Sequence, residues 1–291
     1  MPQSSVRHLR LPMHLISMCP GQPTVCPYTT AMTPNLEPYL DVAVRAARAA
    51  GAIHLAHAES PHTIDRKSSF SDLVTEVDRL AEAEIRRIIL AAYPGHAILG
   101  EEEGEVGGGA QAALWVVDPL DGTVNYAHGL PIYCASVGLE LDGERAVGAV
   151  YDPSRGELFT AVRGGGARLN GRRITVSGTG LDGPPLVATG FAYDSATDQS
   201  NVGLLSRVLA QGWPVRRPGA AALDLCNVAC GRMDAYWELG LKRWDSAAGS
   251  LIVEEAGGQV TGAGGEPTPY APVLVASNGM LHPDLLRLLA P

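Results

Sequence analysis

Cysteine is scarce: five residues (Cys19, Cys26, Cys134, Cys226 and Cys230) in 291, at irregular spacings, which excludes a disulfide scaffold. No C-x-x-C pair points to zinc or redox chemistry. Basic residues are outnumbered, with Lys plus Arg at 22 against 31 Asp plus Glu and a net charge of −9. No basic block offsets this, so a general nucleic-acid binder is excluded. Uninterrupted apolar runs fall short of the roughly 18 residues a membrane-spanning helix needs. Internal repeats, H-E-x-x-H, G-x-S-x-G and Walker A sequences are all missing, which removes the common zinc-protease, serine-hydrolase and P-loop readings. What remains is 46% hydrophobic, 18% charged and rich in glycine. That composition suits a cytoplasmic α/β-type enzyme or binding protein with a substantial core.

The first 34 residues contain no Asp or Glu and six prolines. They read as a disordered N-terminal extension, with Met32 as the natural start. From Leu36 the period is helical, and Leu40, Val44, Ala47 and Gly51 recur at spacings of three and four. A second helix follows Thr75 with Val77, Leu80, Ala81, Ile85, Ile88 and Ile89 on one stripe, and Pro94-Gly95 ends it. The period then switches to two, predicting strands at Ala97–Leu99, Leu114–Val117, Tyr133–Leu141, Ala146–Tyr151 and Leu158–Val162. The Gly164–Gly171 segment reads as a hairpin. After Gly178 the pattern alternates. Strands are expected at Leu186–Thr189, Ala235–Trp237 and Val273–Ala276, and helices at Asn201–Leu209, Ala221–Cys230, Ser246–Glu255 and Pro283–Leu289. A soft boundary near residue 180 divides the chain into halves, 35–180 and 181–291.

The most informative stretch is Trp115–Asn125. An apolar strand delivers Asp118, Pro119 turns the chain, and Asp121 follows with Gly122 and Thr123 behind it. An ordinary Asp-Pro, Asp-Gly turn is the plain alternative. Against it, two carboxylates at the mouth of an apolar strand repel unless a cation sits between them, and the kinked backbone can lend the Leu120 carbonyl as a further hard oxygen ligand. Glu101, Glu102 and Glu103 end the preceding strand, although a solvated acidic loop is preferred for Glu103 and Glu105. Asp245 stands where a helix begins and Asp78 in the first turn of another, so a cap and a dipole partner are their plain alternatives. Together these leave several carboxylates at element ends, where α/β folds collect ligands. Cys226 and Cys230 read as small buried hydrophobes.

These residues resemble the inositol monophosphatase family, magnesium-dependent and lithium-sensitive phosphatases related to fructose-1,6-bisphosphatase. The family signature W-[IV]-[IV]-D-P-[IL]-D-G-T is matched without a gap by Trp115–Thr123. The second, W-D-x-A-A-G followed by E-A-G-G, is matched by Trp244–Gly249 and Glu255–Gly258. Gly100-Glu101-Glu102, and Asp72–Thr75 leading to Asp78, agree, and the resemblance spans residues 36 to 290. It implies a layered α-β-α-β-α sandwich of the α+β or α/β class, a homodimer, and two or three Mg²⁺ per site. Glu101, Asp118 and the Leu120 carbonyl would hold the first ion, and Asp118, Asp121 and Asp245 the second; a weaker third would also use Glu101. Glu102 and Asp78 would stand behind the ligands. Thr123 with Glu101 would hold the attacking water, and Lys67 belongs to a mobile loop over the site. The Gly122 and Thr123 N–H groups would receive phosphate. Glu238, Asp121, Ala221 and Asp245 would face the rest of the substrate.

The implied reaction is hydrolysis of a small phosphomonoester by metal-activated water, without a phospho-enzyme, and inositol 1-phosphate leads the substrates. Fructose 1,6-bisphosphate, histidinol phosphate, nucleotide 3′-phosphates and NADP are the alternatives. Ala220 stands where the family carries a hydroxyl residue, which removes one hydrogen bond from substrate recognition. Arg216 and Arg217 are either a site for a second phosphate or a solvated pair. A D-x-D-x-T aspartyl-phosphate mechanism is disfavoured, because two residues separate Asp118 from Asp121 and the pair cannot project alike from one strand end. A non-enzymatic alternative is partner binding in transcription complexes, as in some bacterial relatives.

Overall fold

The computed structural model describes residues 35–60, 64–66, 73–107 and 113–290. The expected extension over residues 1–34 and Lys67 both lie outside the described residues. Chain order begins with helix α1 (Glu37–His57), whose alanine stripe Ala43, Ala46, Ala47 and Ala50 is buried. Alanine favours the helix and, lacking bulk, lets its backbone lie close on a sheet. A short hairpin, β1 (Ile64–Arg66) with β2 (Leu73–Thr75), leads into α2 (Glu76–Ala92). Helix α2 buries Val77, Ala81, Ile85 and Ile89 at intervals of four.

The first sheet has eight strands. They are β3 (Ala97–Gly100), β4 (Gly104–Val106), β5 (Ala113–Asp121), β6 (Cys134–Leu141), β7 (Glu144–Asp152), β8 (Glu157–Val162), β9 (Gly166–Leu169) and β10 (Arg172–Arg173), with helix α3 (Thr123–Ala127) after β5. Their spatial order is β10-β9-β8-β7-β6-β5-β3-β4. All pairings are antiparallel except β3 with β5. Strands β5, β6 and β7 read as nearly unbroken buried runs, as expected for a sheet covered on both faces.

The second sheet has five strands: β11 (Val187–Thr189), β12 (Val215–Arg216), β13 (Ala235–Leu239), β14 (Gln259–Gly262) and β15 (Val273–Ser277), ordered β12-β11-β13-β15-β14. Between them run α4 (Ser195–Leu209), α5 (Ala221–Ala229), α6 (Arg243–Glu255) and α7 (His282–Leu289). Three apolar clusters define the stacking. The first packs α1 and α2 on the eight-stranded sheet, the second holds α5 and α6 between the two sheets, and the third packs α4 and α7 on the five-stranded sheet. The result is the layered α-β-α-β-α sandwich expected. Chain direction changes sheets between residues 173 and 187, yet α6 from the later half packs on β6 and β7 of the earlier, so the halves share one core.

Several boundaries differ from the sequence reading. Helix α4 begins at Ser195 rather than Asn201, capped by the Asp194 carboxylate accepting from Thr197 N–H at 3.0 Å. Its first turn is polar and carries no apolar period. The acidic loop after β3 folds into β4, which pairs back on β3, although Glu103 and Glu105 remain exposed as expected. Cys226 is buried and Cys230 partly so, in the core between the sheets.

Candidate active site

Two parallel strands set the geometry. In the β3–β5 ladder Gly100 pairs with Val117, so Glu101, the first residue past β3, comes beside Asp118, which is still within β5. Beyond Asp118 the β5–β6 register slips: Asp118 faces Ser136 but Asp121 faces Cys134. The extra residue is a bulge at Pro119-Leu120, where proline has no N–H to lose from the ladder. The bulge is held locally by Leu120 N–H on Asp118 Oδ1 at 3.0 Å. Gly122 then adopts φ +91°, a left-handed turn that starts α3.

A cavity of about 500 Å³ opens at this corner. It is lined by Glu101 from the turn after β3, Asp118, Leu120 and Asp121 from β5, Gly122 and Thr123 from the start of α3, and by Ala221, Glu238 and Asp245 from α5, β13 and α6. Residues separated by more than 140 positions thus meet at one place. Asp78 and Glu102 do not line it. Asp78 nevertheless reaches it through Thr123, whose hydroxyl lies 2.9 Å from Asp78 Oδ1 and 2.9 Å from the Leu120 carbonyl. The other Asp78 oxygen accepts from Thr75 N–H at 2.8 Å and from the Thr75 hydroxyl at 2.6 Å, a capping box at the head of α2. Asp78 is therefore both the helix cap partner and the support of Thr123.

Asp121 is bound across the molecule. Its oxygens accept Ala221 N–H at 3.1 Å and Ala222 N–H at 2.7 Å. Ala220, the N-cap of α5, has no side chain to serve there, so Asp121 caps the helix from another strand. Burial pushes the Asp121 carboxyl up to about 6, opposed by those N–H bonds. Asp245 is the third residue of α6 rather than its N-cap, and its carboxylate accepts Lys242 N–H at 2.6 Å. Burial first, then the nearby charge of Glu101, drives its carboxyl well above the usual range. Glu238 accepts from the Tyr236 hydroxyl, and burial raises it to about 7. Arg217 lines the same cavity, its guanidinium 5.8 Å from the Phe191 ring centre and 5.3 Å from that of Tyr193. Arg216 does not; it faces a neighbouring cavity and is exposed.

Among the described residues no three Asp, Glu, His or Cys side chains already converge on one point as a metal cage. The carboxylates ring the cavity instead. The donor set still fits a hard dication: four carboxylates and a peptide carbonyl, all oxygen, on rigid element ends. Burial and, second, the charge of Glu101 raise the Asp245 carboxyl, and a cation placed among these groups would offset both.

Two buried residues at the site give little signal in sequence. His54 of α1 places Nε2 2.8 Å from the Pro119 carbonyl, and burial lowers its pKa to about 4. Glu82 of α2 accepts the N–H groups of Glu102 and Glu103.

Comparison with known proteins finds relatives over nearly the whole chain. The model of the inositol monophosphatase family matches residues 35–290. The inositol-1-monophosphatase of Synechocystis sp. is 44% identical over 261 residues, 88% of this chain and 90% of its own length. Nus factor SuhB of Pseudomonas aeruginosa is 46% identical over 78% of this chain and 86% of its own. The crystal structure of extragenic suppressor protein SuhB from Bartonella henselae matches with a TM-score of 0.83 at 37% identity, covering 87% of this chain and 98% of that one.

Proposed function

Since the chain belongs to the inositol monophosphatase family and is a phosphoric monoester hydrolase, we propose that it hydrolyses inositol 1-phosphate to inositol and phosphate with Mg²⁺. The observation that carries this is the meeting of Glu101, Asp118, Asp121 and Asp245 round one cavity beside the Thr123–Asp78 pair. Metal dependence is general in this family. Glu101, Asp118 and Leu120 would hold one ion and Asp118, Asp121 and Asp245 another. A divalent ion there supplies Lewis acidity, acidifying water and offsetting charge that grows on the ester oxygen.

The protein's own residues do the rest. When the Thr123 hydroxyl donates its one hydrogen bond to Asp78, its oxygen is left to accept from the attacking water and fixes that water's orientation. Asp78, anchored at its second oxygen by Thr75, keeps the hydroxyl from turning away. The Gly122 and Thr123 N–H groups at the start of α3 orient the phosphoryl oxygens. Glu238, on the far wall, accepts from hydroxyls of the alcohol, and the Ala221 segment closes that side. No side chain need become phosphorylated.

Family membership further supports a homodimeric, lithium-sensitive enzyme of the cytoplasm, although Lys67 lies outside the described residues. Among the described residues no helix is long and apolar enough to cross a membrane. The test is phosphate release from inositol 1-phosphate, fructose 1,6-bisphosphate, histidinol phosphate, nucleotide 3′-phosphates and NADP, with Mg²⁺, with EDTA and with Li⁺. Fastest turnover of inositol 1-phosphate supports the proposal; preference for another ester moves the substrate within the same chemistry; no release overturns it. Identity to a relative named a Nus factor supports a second reading, partner binding in transcription complexes, which loss of hydrolysis would leave intact.

A further inference from the structure

Glu82 lies one helical turn beyond Asp78 on α2 and is almost wholly buried, at 1% exposed. Its Oε2 accepts Glu102 N–H at 2.8 Å and its Oε1 accepts Glu103 N–H at 3.0 Å. Arg86, one turn further and also buried, donates from Nε to Glu82 Oε1 at 2.9 Å. A terminal nitrogen of the same guanidinium lies 2.8 Å from that oxygen and donates to the Gly104 carbonyl at 2.7 Å. The residues between β3 and β4 are therefore gripped by one carboxylate and one guanidinium from α2. Gly100 makes room for the grip, since a Cβ there would fall 2.3 Å from Glu82 Oε1.

Stability alone is a weak reason for this arrangement. A buried ion pair costs several kcal/mol per ion to desolvate, and well-packed apolar residues often hold a fold as well. The β3–β4 pairing is closed by its own backbone ladder. What the pair adds is direction: the two N–H groups it takes up belong to the two peptides that follow Glu101, the residue just past β3 beside Asp118.

We infer that Glu82, held by Arg86, is a positioning residue for Glu101: it fixes the 101–103 turn so that the Glu101 carboxylate stands over the cavity with Asp118 and Asp245. The inference rests on Glu101 as a metal ligand, the reading given above. Glu82→Gln keeps the shape but loses the charge, the Arg86 pair and one of the two accepted N–H bonds. Gly100→Ala reaches the same end from the other side, by pushing the Glu82 carboxylate out of its seat.

Calorimetric titration of Mg²⁺ into the full-length protein tests this without relying on turnover. Both variants should bind Mg²⁺ about tenfold more weakly. Phosphate release should need correspondingly more Mg²⁺, while KM for the ester at saturating Mg²⁺ stays within about twofold. Asp152→Asn is the control: it breaks the contact of a buried carboxylate with half-exposed Arg155 on a turn that does not line the cavity and should leave Mg²⁺ affinity unchanged. Mg²⁺ affinity of both variants within twofold of wild type, with only melting temperature lowered, would reduce Glu82 to a structural brace and overturn the inference. An equal loss in Asp152→Asn would overturn it too, as would a wild type that takes up no Mg²⁺. Normal Mg²⁺ uptake without phosphate release counts against the substrate reading and leaves the role of Glu82 standing.

Discussion

His54 Nε2 lies 2.8 Å from the carbonyl oxygen of Pro119, 65 residues further along the chain. A carbonyl only accepts, so Nε2 carries the proton and donates. The bulge at Pro119 takes that stretch out of the β5–β6 ladder, and His54 supplies from α1 the donor that β6 does not. Its Nδ1 is buried without a partner among the described residues. The ring is held neutral: burial lowers its pKa from 6.5 to about 4. The unfolded chain therefore binds the extra proton between those values and the folded chain does not. Stability from this residue is complete above about pH 6.5 and drains away as pH falls toward 4. Melting curves across that range should steepen in wild type relative to His54→Leu. At about pH 7.5 the leucine variant should be less stable by about 1–3 kcal/mol, because Pro119 loses its donor. Parallel pH profiles would show that His54 titrates freely and refute the assignment.

Gly122 cannot be replaced at low cost. Its φ is +91°, and a Cβ would sit 2.8 Å from the Ile132 carbonyl and 3.3 Å from the Ala220 side chain. Gly122→Ala should lose more than the 1–2 kcal/mol typical of a left-handed alanine and cut phosphate release more than tenfold by displacing Thr123. Gly129 is the comparison, with φ +69° and nothing within 4 Å of its Cβ position. Gly129→Ala should show the conformational cost and keep full activity. Chemical denaturation and kcat for the two variants decide the matter.

The contrast between these residues explains what the sequence made legible. Strand β5 was readable because an apolar run ends in Asp-Pro and Asp-Gly, each a turn signal with its own mechanism. Helices α1 and α2 were readable from apolar stripes. Strands β1, β2, β4, β12 and β14, of two to four residues, were not, because so short a stretch cannot display a side-chain period. The candidate ligands Glu101, Asp118, Asp121 and Asp245 stood out as carboxylates at element ends. Their supports did not. Thr123 meets Asp78 across 45 residues and Asp121 caps α5 across 100, and neither contact leaves a local pattern. Asp245 looked like an N-cap because Trp244-Asp245 precedes the apolar run, whereas α6 starts earlier, at Arg243. For Glu82 the single signal was its place one turn beyond Asp78.

Four carboxylates around one cavity make the metal-free protein the strained state. Mg²⁺ at about 100 times its Kd should stabilise the fold by about 2.7 kcal/mol, and EDTA should reverse it. Asp118, which the proposed reading assigns to both ions, is the decisive position. Asp118→Asn should lose most of the Mg²⁺-dependent rise in melting temperature and at least about two orders of magnitude in kcat. A variant that keeps near-wild-type turnover would remove Asp118 from the ligand set.

Asp224 on α5 is a buried acid that the chemistry leaves unused. Both of its oxygens are buried without a hydrogen-bond partner among the described residues. Burial, then the charges of Glu238 and Asp121, raise its carboxyl well above the ordinary value of 3.8. The folded state thus keeps a proton that the unfolded chain releases near 3.8, so this position loses stability as pH rises through the folded value. Asparagine has the same shape and no charge to bury. Asp224→Asn should therefore be more stable than wild type by about 1–3 kcal/mol at about pH 8, an advantage that shrinks toward about pH 5. Both proteins are compared with Mg²⁺ bound, so that charge relief at Asp121 is the same in each. A gain independent of pH would mean that asparagine merely packs better, and a loss would mean that the Asp224 carboxylate serves the site in its charged form.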